Sequence, residues 1–230
     1  MVKEVSKELI RLRNVSKFYH MGNSVVKALN GVNFKVYNGE FVAIMGPSGS
    51  GKSTAMNLVG SLDVPTKGSI YLDEVDISTL SESELAQIRG KKIGFIFQSF
   101  NLIANLTTAE NVMLPMMFQG EDINERRATA KKLLSLVDLG DRLDHYPGEL
   151  SGGQRQRVAI ARSLANDPEV ILADEPTAHL DTELSQSYLE YMKVLKVSGL
   201  SVIIASHDPR VCEFSEVDRV IEIKDGQLKL

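Results

Sequence analysis

Residues 46–54 read Gly46-Pro47-Ser48-Gly49-Ser50-Gly51-Lys52-Ser53-Thr54, a glycine-spaced loop closed by Lys-Ser-Thr. The apolar run Glu40-Phe41-Val42-Ala43-Ile44-Met45 leads into it with the β-branched and aromatic content of a buried strand. Lys52 to Val59 follows and reads as a helix. Strand, tight loop and helix in this order open an α/β core. The spacing is G-x-x-x-x-G-K-[ST], with Gly46, Gly51, Lys52 and Ser53 in the fixed places. Glycines let successive backbone N–H groups turn inward into an anion-binding hollow, and the helix N-terminus adds unpaired donors and partial positive charge. Lys52 brings a full charge to the outer phosphates, and the Ser53 hydroxyl is a hard oxygen of the kind that Mg²⁺ takes. A glycine-rich turn without a ligand is the alternative, and the flanking strand and helix weigh against it. The loop implies a bound nucleoside triphosphate.

Working outward, Leu9–Val15 alternates apolar and polar residues as a half-buried strand does, and Ala28–Val36 reads as a second strand. Asn38-Gly39 carries a hairpin signal into the strand that feeds the loop. Beyond the loop helix come a short strand at Gly68–Leu72, a helix at Ser81–Arg89 with a Ser-x-x-Glu start, and a strand at Ile93–Phe97 that stops at Gln98. From Ser99 to about Asp167 strand-like runs vanish, and helical patterns appear at Ala109–Phe118, Ile123–Val137 and Gln154–Ala165. Strands return at Val170–Ala173, Ser201–Ala205 and Arg219–Ile223, separated by helical stretches at Thr182–Val197 and Pro209–Phe214. Such alternation predicts a largely parallel sheet covered on both faces, interrupted by a helical insertion. Asp225-Gly226 marks a hairpin near the end.

Composition sets outer bounds. A chain of 230 residues, 43% hydrophobic and 24% charged, has the balance of a soluble globular domain. The net charge of −4 lacks the basic footprint of a nucleic-acid binder, so no nucleic-acid partner is expected. Cys212 is the only cysteine, which excludes an intramolecular disulfide and a cysteine metal cluster and fits a reducing cytosol. Residues 1–9 lack the apolar core of a signal peptide, and no apolar run is long enough to span a bilayer. A membrane role would therefore need a separate spanning chain.

Two further constellations carry chemistry. Val170-Ile171-Leu172-Ala173-Asp174-Glu175 places two acids at the carboxyl end of a buried strand, the edge where open α/β sheets bind ligands. The pair is either a solvated opening to the loop before Pro176 or a division of labour. In the second reading Asp174 is linked to a metal and Glu175 is the general base for an attacking water. Leu150-Ser151-Gly152-Gly153-Gln154 precedes a helix, with Ser151 as N-cap and two glycines allowing close backbone approach. It is either a well-capped helix or a second anion site, lacking its own lysine, for a nucleotide held by another copy of the chain.

With these motifs in order from Leu9 to Leu228, the sequence resembles the nucleotide-binding subunits of ATP-binding-cassette (ABC) proteins. Phe100–Phe118 and the stretch from Tyr146 to Thr177 look most like the ATPases of lipoprotein-releasing, macrolide-exporting and cell-division systems. The resemblance implies a P-loop NTPase core with a mostly parallel sheet, N-terminal antiparallel strands and an inserted helical subdomain. Residues 1–98 and 166–230 would form the core and residues 99–165 the helical part carrying the Leu-Ser-Gly-Gly-Gln signature. Tyr19 matches the aromatic that stacks on adenine; Phe18 beside it is the competitor for that role, and its favoured place is the core. Gln98 matches the glutamine that touches Mg²⁺ and the attacking water, and His207 the histidine at the γ-phosphate. Asp181 matches an aspartate crossing the dimer interface, although Ala178 and His179 depart from the pattern of this branch. ATP and Mg²⁺ are the implied ligands.

The implied assembly is a head-to-tail homodimer, each ATP lying between residues 46–54 of one copy and Ser151–Gln154 of the other. The implied partner is a membrane permease. The Met-rich run Asn111–Phe118 is either core or the groove that receives a permease helix, since methionine suits both. The expected place is the cytoplasm, peripheral to the inner face of the membrane. An ABC-type ATPase acting on nucleic acid, and a regulatory module without turnover, are the alternatives. The first would carry a long coiled coil where residues 99–167 stand.

Overall fold

The computed structural model describes residues 7–22, 24–178 and 181–229. His179 and residues 1–6 lie outside the described residues.

Two sheets share the core. The long strands β1 (Glu8–Met21) and β2 (Ser24–Tyr37) form an antiparallel ribbon, from Glu8 opposite Tyr37 to Met21 opposite Ser24. With β4 (Lys67–Leu72) and the two-residue β5 (Val75–Asp76) they make a four-stranded antiparallel sheet in the order β2-β1-β4-β5. The second sheet has six strands in the order β10-β9-β3-β8-β7-β6. In it β3 (Phe41–Met45), β6 (Ile93–Ile96), β7 (Val170–Asp174), β8 (Ser201–Ser206) and β9 (Arg219–Lys224) run parallel. Only β10 (Gln227–Leu228) is antiparallel, closing on β9 through the Asp225-Gly226 turn. The expected α/β class is observed.

The period of β3 divides the core. Val42 and Ile44 pack with Leu9, Val36, Met56 and Leu172 in the layer shared with the antiparallel sheet and helix α1 (Lys52–Val59). Phe41 and Ala43 point the other way, into a cluster with Met116, Leu134, Ile160, Ile204 and Tyr188. That second cluster is roofed by α3 (Thr108–Phe118), α4 (Ile123–Leu136), α5 (Gly152–Ser163) and α6 (Thr182–Val197). Alternate residues thus bury on opposite faces, as a central strand requires. Among the described residues the other α-helices are α2 (Glu82–Lys92) and α7 (Pro209–Cys212). The Ser81–Glu84 start of α2 forms a full capping box, as the Ser-x-x-Glu reading expects.

The Asn38-Gly39 hairpin needs correction. The chain does turn there, with Glu40 N donating to Tyr37 O at 3.0 Å, but β2 and β3 do not pair. The turn carries the chain from one sheet to the other, and β3 settles between β8 and β9. A strand buried on both faces, as Phe41–Ile44 is, finds its partners in the middle of a parallel sheet rather than at a half-exposed ribbon. No helix among the described residues is long and apolar enough to cross a membrane.

Candidate nucleotide site

Parallel register brings four chain segments to one edge. Met45 lies opposite Ser206, Asp174 opposite Ala205 and Ile96 opposite Ala173. The residues just beyond these strand ends are the glycine loop, His207, Glu175 and, two places past Ile96, Gln98. This is the carboxyl edge, where the strand order of an open sheet leaves a crevice.

The loop's two fixed glycines have steric causes. A Cβ on Gly46 would stand 2.1 Å from Ile223 O, and one on Gly51 2.4 Å from Ala28 O, with φ at 156° and 109° respectively. Gly49, which the spacing leaves variable, has φ 76° but nothing within 4 Å of such a Cβ. Backbone from β9 and β2 therefore presses on the loop at the two positions where the pattern demands glycine. A cavity of about 420 Å³ opens on Gly49, Gly51, Lys52, Ser53 and Thr54. Pro47 and Ser48 are exposed at its side, and Ser50 is buried with its Oγ unpartnered.

Lys52 is 4% exposed and folds back along the loop, donating from Nζ to Gly46 O at 2.8 Å and Pro47 O at 3.1 Å. Its ammonium also lies 3.4 Å from Glu175 Oε1. Glu175 holds a left-handed backbone (φ 46°), unusual for a residue with a side chain, fixed by its N–H donating to Ala205 O at 2.8 Å. His207 Nδ1 is 2.9–3.0 Å from both Glu175 oxygens. Ser206 Oγ donates to the same carboxylate at 3.3 Å. An ionised carboxylate only accepts, so Nδ1 of His207 carries the hydrogen in this contact. Ser53 Oγ donates to Asp174 Oδ1 at 3.1 Å. Burial pushes the Asp174 carboxyl above its ordinary range; the Ser53 hydrogen bond opposes this and the Glu175 charge adds to it. The arrangement offers a lysine beside a glycine loop for phosphates, hard oxygens for a cation, and a carboxylate fixed by a histidine.

Of the other expected residues, Tyr19 reaches the end of the loop, its hydroxyl in hydrogen-bond contact with Thr54, while the others lie on separate elements. Tyr19, on β1, is 37% exposed and donates from its hydroxyl to Asp63 Oδ2 at 2.9 Å. Phe18 is half-buried and stands outside both core clusters, contrary to its assignment to the core. Ser151 caps α5 in a full capping box, Ser151 N donating to Gln154 Oε1 at 2.8 Å and Gln154 N to Ser151 Oγ at 3.2 Å. Gly152 and Gly153 form the first turn, and a Cβ on Gly153 would press on the Leu184 side chain. Asp181 caps α6, accepting from Leu184 N at 2.8 Å. Helix α1 packs on β2, β4, β7 and β8, whereas α5 packs on α3, α4 and β6. The glycine loop and the signature thus occupy different faces of one copy.

Sequence reading missed the wall of the cavity. Ala28 and the Asp225-Gly226 turn line it, Gly226 N donating to Ser50 O at 2.9 Å and Asn30 N to Gly226 O at 2.8 Å. Asp-Gly signalled the turn but not its place against the loop. A larger groove of about 880 Å³ lies elsewhere, between α2, β6, α3 and α5, with Leu62, Phe97, Leu114, Pro115 and Phe118 among its lining. The Met-rich run divides at this point. Asn111, Val112, Met113 and Met116 are buried, while Leu114, Pro115 and Phe118 face the groove.

Comparison with known proteins gives a consistent picture. Residues 29–178 match the family model described as ABC transporter. An uncharacterized ABC transporter ATP-binding protein of Thermotoga maritima is 48% identical over 97% of this chain and 94% of its own. The macrolide export ATP-binding/permease protein MacB of Brucella melitensis is 49% identical over 96% of this chain but only 34% of its own, so this chain spans about a third of that protein. Among solved structures, the ATP-binding cassette MJ0796 of Methanocaldococcus jannaschii, dimeric in a post-hydrolysis state bound to ADP and Pi, superposes with a TM-score of 0.88. It is 45% identical over 96% of this chain and 97% of its own. With its glycine loop, acidic strand end and signature in the family's order, this chain belongs to the ABC transporter family as an ATP-binding, ATP-hydrolysing cassette.

Proposed function

We propose that the carboxyl edge described above is half of an ATPase site, completed by a second copy of the chain, and that its cycle drives a membrane permease. The observation that carries this is the convergence of Lys52, Ser53, Asp174, Glu175 and His207 on one strand edge. The N–H groups of residues 46–54 and the Lys52 ammonium hold the phosphates. Tyr19 stacks on the adenine. Glu175 takes the proton of the attacking water, and His207 orients that carboxylate and reaches the γ-phosphate. Catalysis of this kind is positioning and charge stabilisation rather than covalent chemistry.

The residues present fit Mg²⁺. Ser53 Oγ and the Asp174 carboxylate are hard oxygens already in contact, and Gln98 stands at the neighbouring strand end. Among the described residues no cluster of three His, Cys, Asp or Glu could hold a metal alone. That suits an ion held by one or two protein oxygens with phosphates and water. When bound, Mg²⁺ supplies neutralisation of the charge on the outer phosphate oxygens.

Because the signature and the loop occupy different faces, Ser151–Gln154 serve the nucleotide of the other copy in a head-to-tail homodimer, with Asp181 at the interface. The dimeric state of the MJ0796 cassette supports this reading. Residues 1–98 and 166–230 act as the ATP-binding core and residues 99–165 as the helical part. The groove bearing Leu114, Pro115 and Phe118 receives a permease helix, at the cytoplasmic face of the membrane. MacB, which joins ATP-binding and permease functions in one protein, supports such a partner.

Glu175→Gln tests the assignment. Hydrolysis should fall at least about 100-fold, while ATP still binds and draws two copies together, read by light scattering. Undiminished hydrolysis, or a variant that binds ATP only as a monomer, would sink it.

A further inference from the structure

Tyr19 is tied to the far end of the helix that begins at the phosphate loop. Asp63 follows α1 in a segment folded back onto it, Leu62 N donating to Asn57 O at 2.8 Å and Gly60 N to Met56 O at 2.8 Å. Its carboxylate takes the Tyr19 hydroxyl on Oδ2 at 2.9 Å and the Lys17 ammonium on Oδ1 at 2.5 Å. Lys17 also donates to Val64 O at 2.8 Å, and its ammonium lies 5.1 Å from the Tyr19 ring centroid. One residue back along β1, Phe18 N donates to Thr66 Oγ1 at 3.0 Å, which fixes the backbone beside the ring. Burial acts to raise the Asp63 carboxyl, but the hydrogen bonds from Lys17, Val64 N–H and Tyr19 outweigh it and hold it below its ordinary range. Asp63 is therefore ionised and acceptor-only at neutral pH, and the phenol must be the donor.

Besides its tie to Asp63, the hydroxyl meets Thr54 of the loop helix, and the hairpin itself offers little to hold the ring. Met21, Val25 and Val26 are 66%, 50% and 46% exposed, and Tyr19 itself is 37% exposed. A ring in such surroundings would sample several rotamers unless its hydroxyl were anchored. We propose that Asp63, with Lys17, is a positioning residue that pre-sets the Tyr19 ring for the nucleotide base and holds that platform at a fixed distance from the phosphate loop. The proposal rests on the reading of Tyr19 as the base-stacking aromatic. Ordering a free aromatic side chain on binding opposes affinity by about two- to tenfold, and the anchor removes that opposition in advance.

The test measures equilibrium binding of ATP and of inorganic triphosphate, which lacks the base, to the full chain. Tyr19→Phe keeps the ring and removes the anchor; Asp63→Ala removes its acceptor. Each should weaken ATP by about two- to tenfold and leave triphosphate affinity as it was. The double variant should be no worse than Tyr19→Phe alone, because losing the hydroxyl already deletes the Asp63 contact. Tyr19→Ala tests the underlying reading separately. If it leaves ATP affinity unchanged, the stacking role itself fails. If it weakens ATP while Tyr19→Phe and Asp63→Ala bind normally, stacking stands and the positioning role is wrong. If Asp63→Ala weakens ATP and triphosphate alike, or the two losses add, Asp63 acts through the loop or the fold and the proposal is overturned.

Discussion

The Lys52 ammonium stands 3.4 Å from Glu175 Oε1, with the two side chains only 5% and 13% exposed. The pairing is unequal. Lys52 keeps two carbonyl acceptors, Gly46 O and Pro47 O, if the carboxylate is lost. Glu175 without Lys52 keeps no permanent cation, only His207 and Ser206. Lys52→Met preserves the packed stem and should destabilise the fold by about 1–3 kcal/mol, more than Glu175→Gln does. It should also weaken ATP at least about tenfold, since a charge-assisted phosphate contact is lost. Urea denaturation of both variants and their combination measures the coupling. Equal single costs that add would show that the pair does not interact.

The fixed glycines make a sharper comparison. Gly51→Ala forces a Cβ to within 2.4 Å of Ala28 O at a φ of 109°, so either the loop or β2 must shift. A loss of about 2–4 kcal/mol and of ATP binding is expected. Gly49→Ala has open space at a φ of 76° and should cost only about 1–2 kcal/mol, the left-handed backbone term alone. Thermal unfolding of the two variants beside wild type decides the matter.

These two glycines also show what was legible in the chain. The loop, its strand and its helix could be read because they are contiguous, and local chemistry fixes each: α1 spans Lys52–Val59, as the run after the loop suggested. What pushes on Gly46 and Gly51 could not be read, because Ile223 and Ala28 arrive through the sheet from distant parts of the chain. The Asn38-Gly39 turn failed for the same reason. A turn signal states that the chain reverses, whereas which strands then pair depends on how many faces each strand buries. Tyr19 was singled out by resemblance, yet its tie to Asp63 depends on where the end of α1 falls against β1.

The run Asn111–Phe118 gives a prediction for each of its faces. Asn111 is fully buried and meets Ile103 N at 2.7 Å and the carbonyls of Ile103, Leu106 and Thr107 at 3.0–3.1 Å. Asn111→Ala orphans these groups and should cost about 2–4 kcal/mol. Phe118 is 80% exposed on the groove, so Phe118→Ala should change stability by less than about 0.5 kcal/mol. If the groove seats a permease helix, Phe118→Ala should instead reduce stimulation of the ATPase by that partner. Denaturation curves, with ATPase assays in the assembled system, separate the two faces.

Far from the nucleotide, Asp73 joins the start of β1 to the end of α2, meeting Lys7 and Lys92, while Lys92 also meets Glu169. Hydrogen bonds from Lys7 and Lys92 lower its carboxyl to about 2, below the ordinary 3.8. A carboxyl depressed on folding adds stability that is fully present above its unfolded value and is lost as pH falls through the folded one. The contribution should therefore hold at neutral pH and fade between about pH 4 and pH 2. Because the group is partly exposed, water and salt screen it, and its worth is at most about 1 kcal/mol. Asp73→Asn removes the charge while tolerating the left-handed backbone (φ 47°). The variant should be less stable than wild type at pH 7 and converge on it as the pH approaches 2, with the gap at pH 7 narrowing in high salt. A gap unchanged across that pH range would assign the loss to packing rather than to the two lysines.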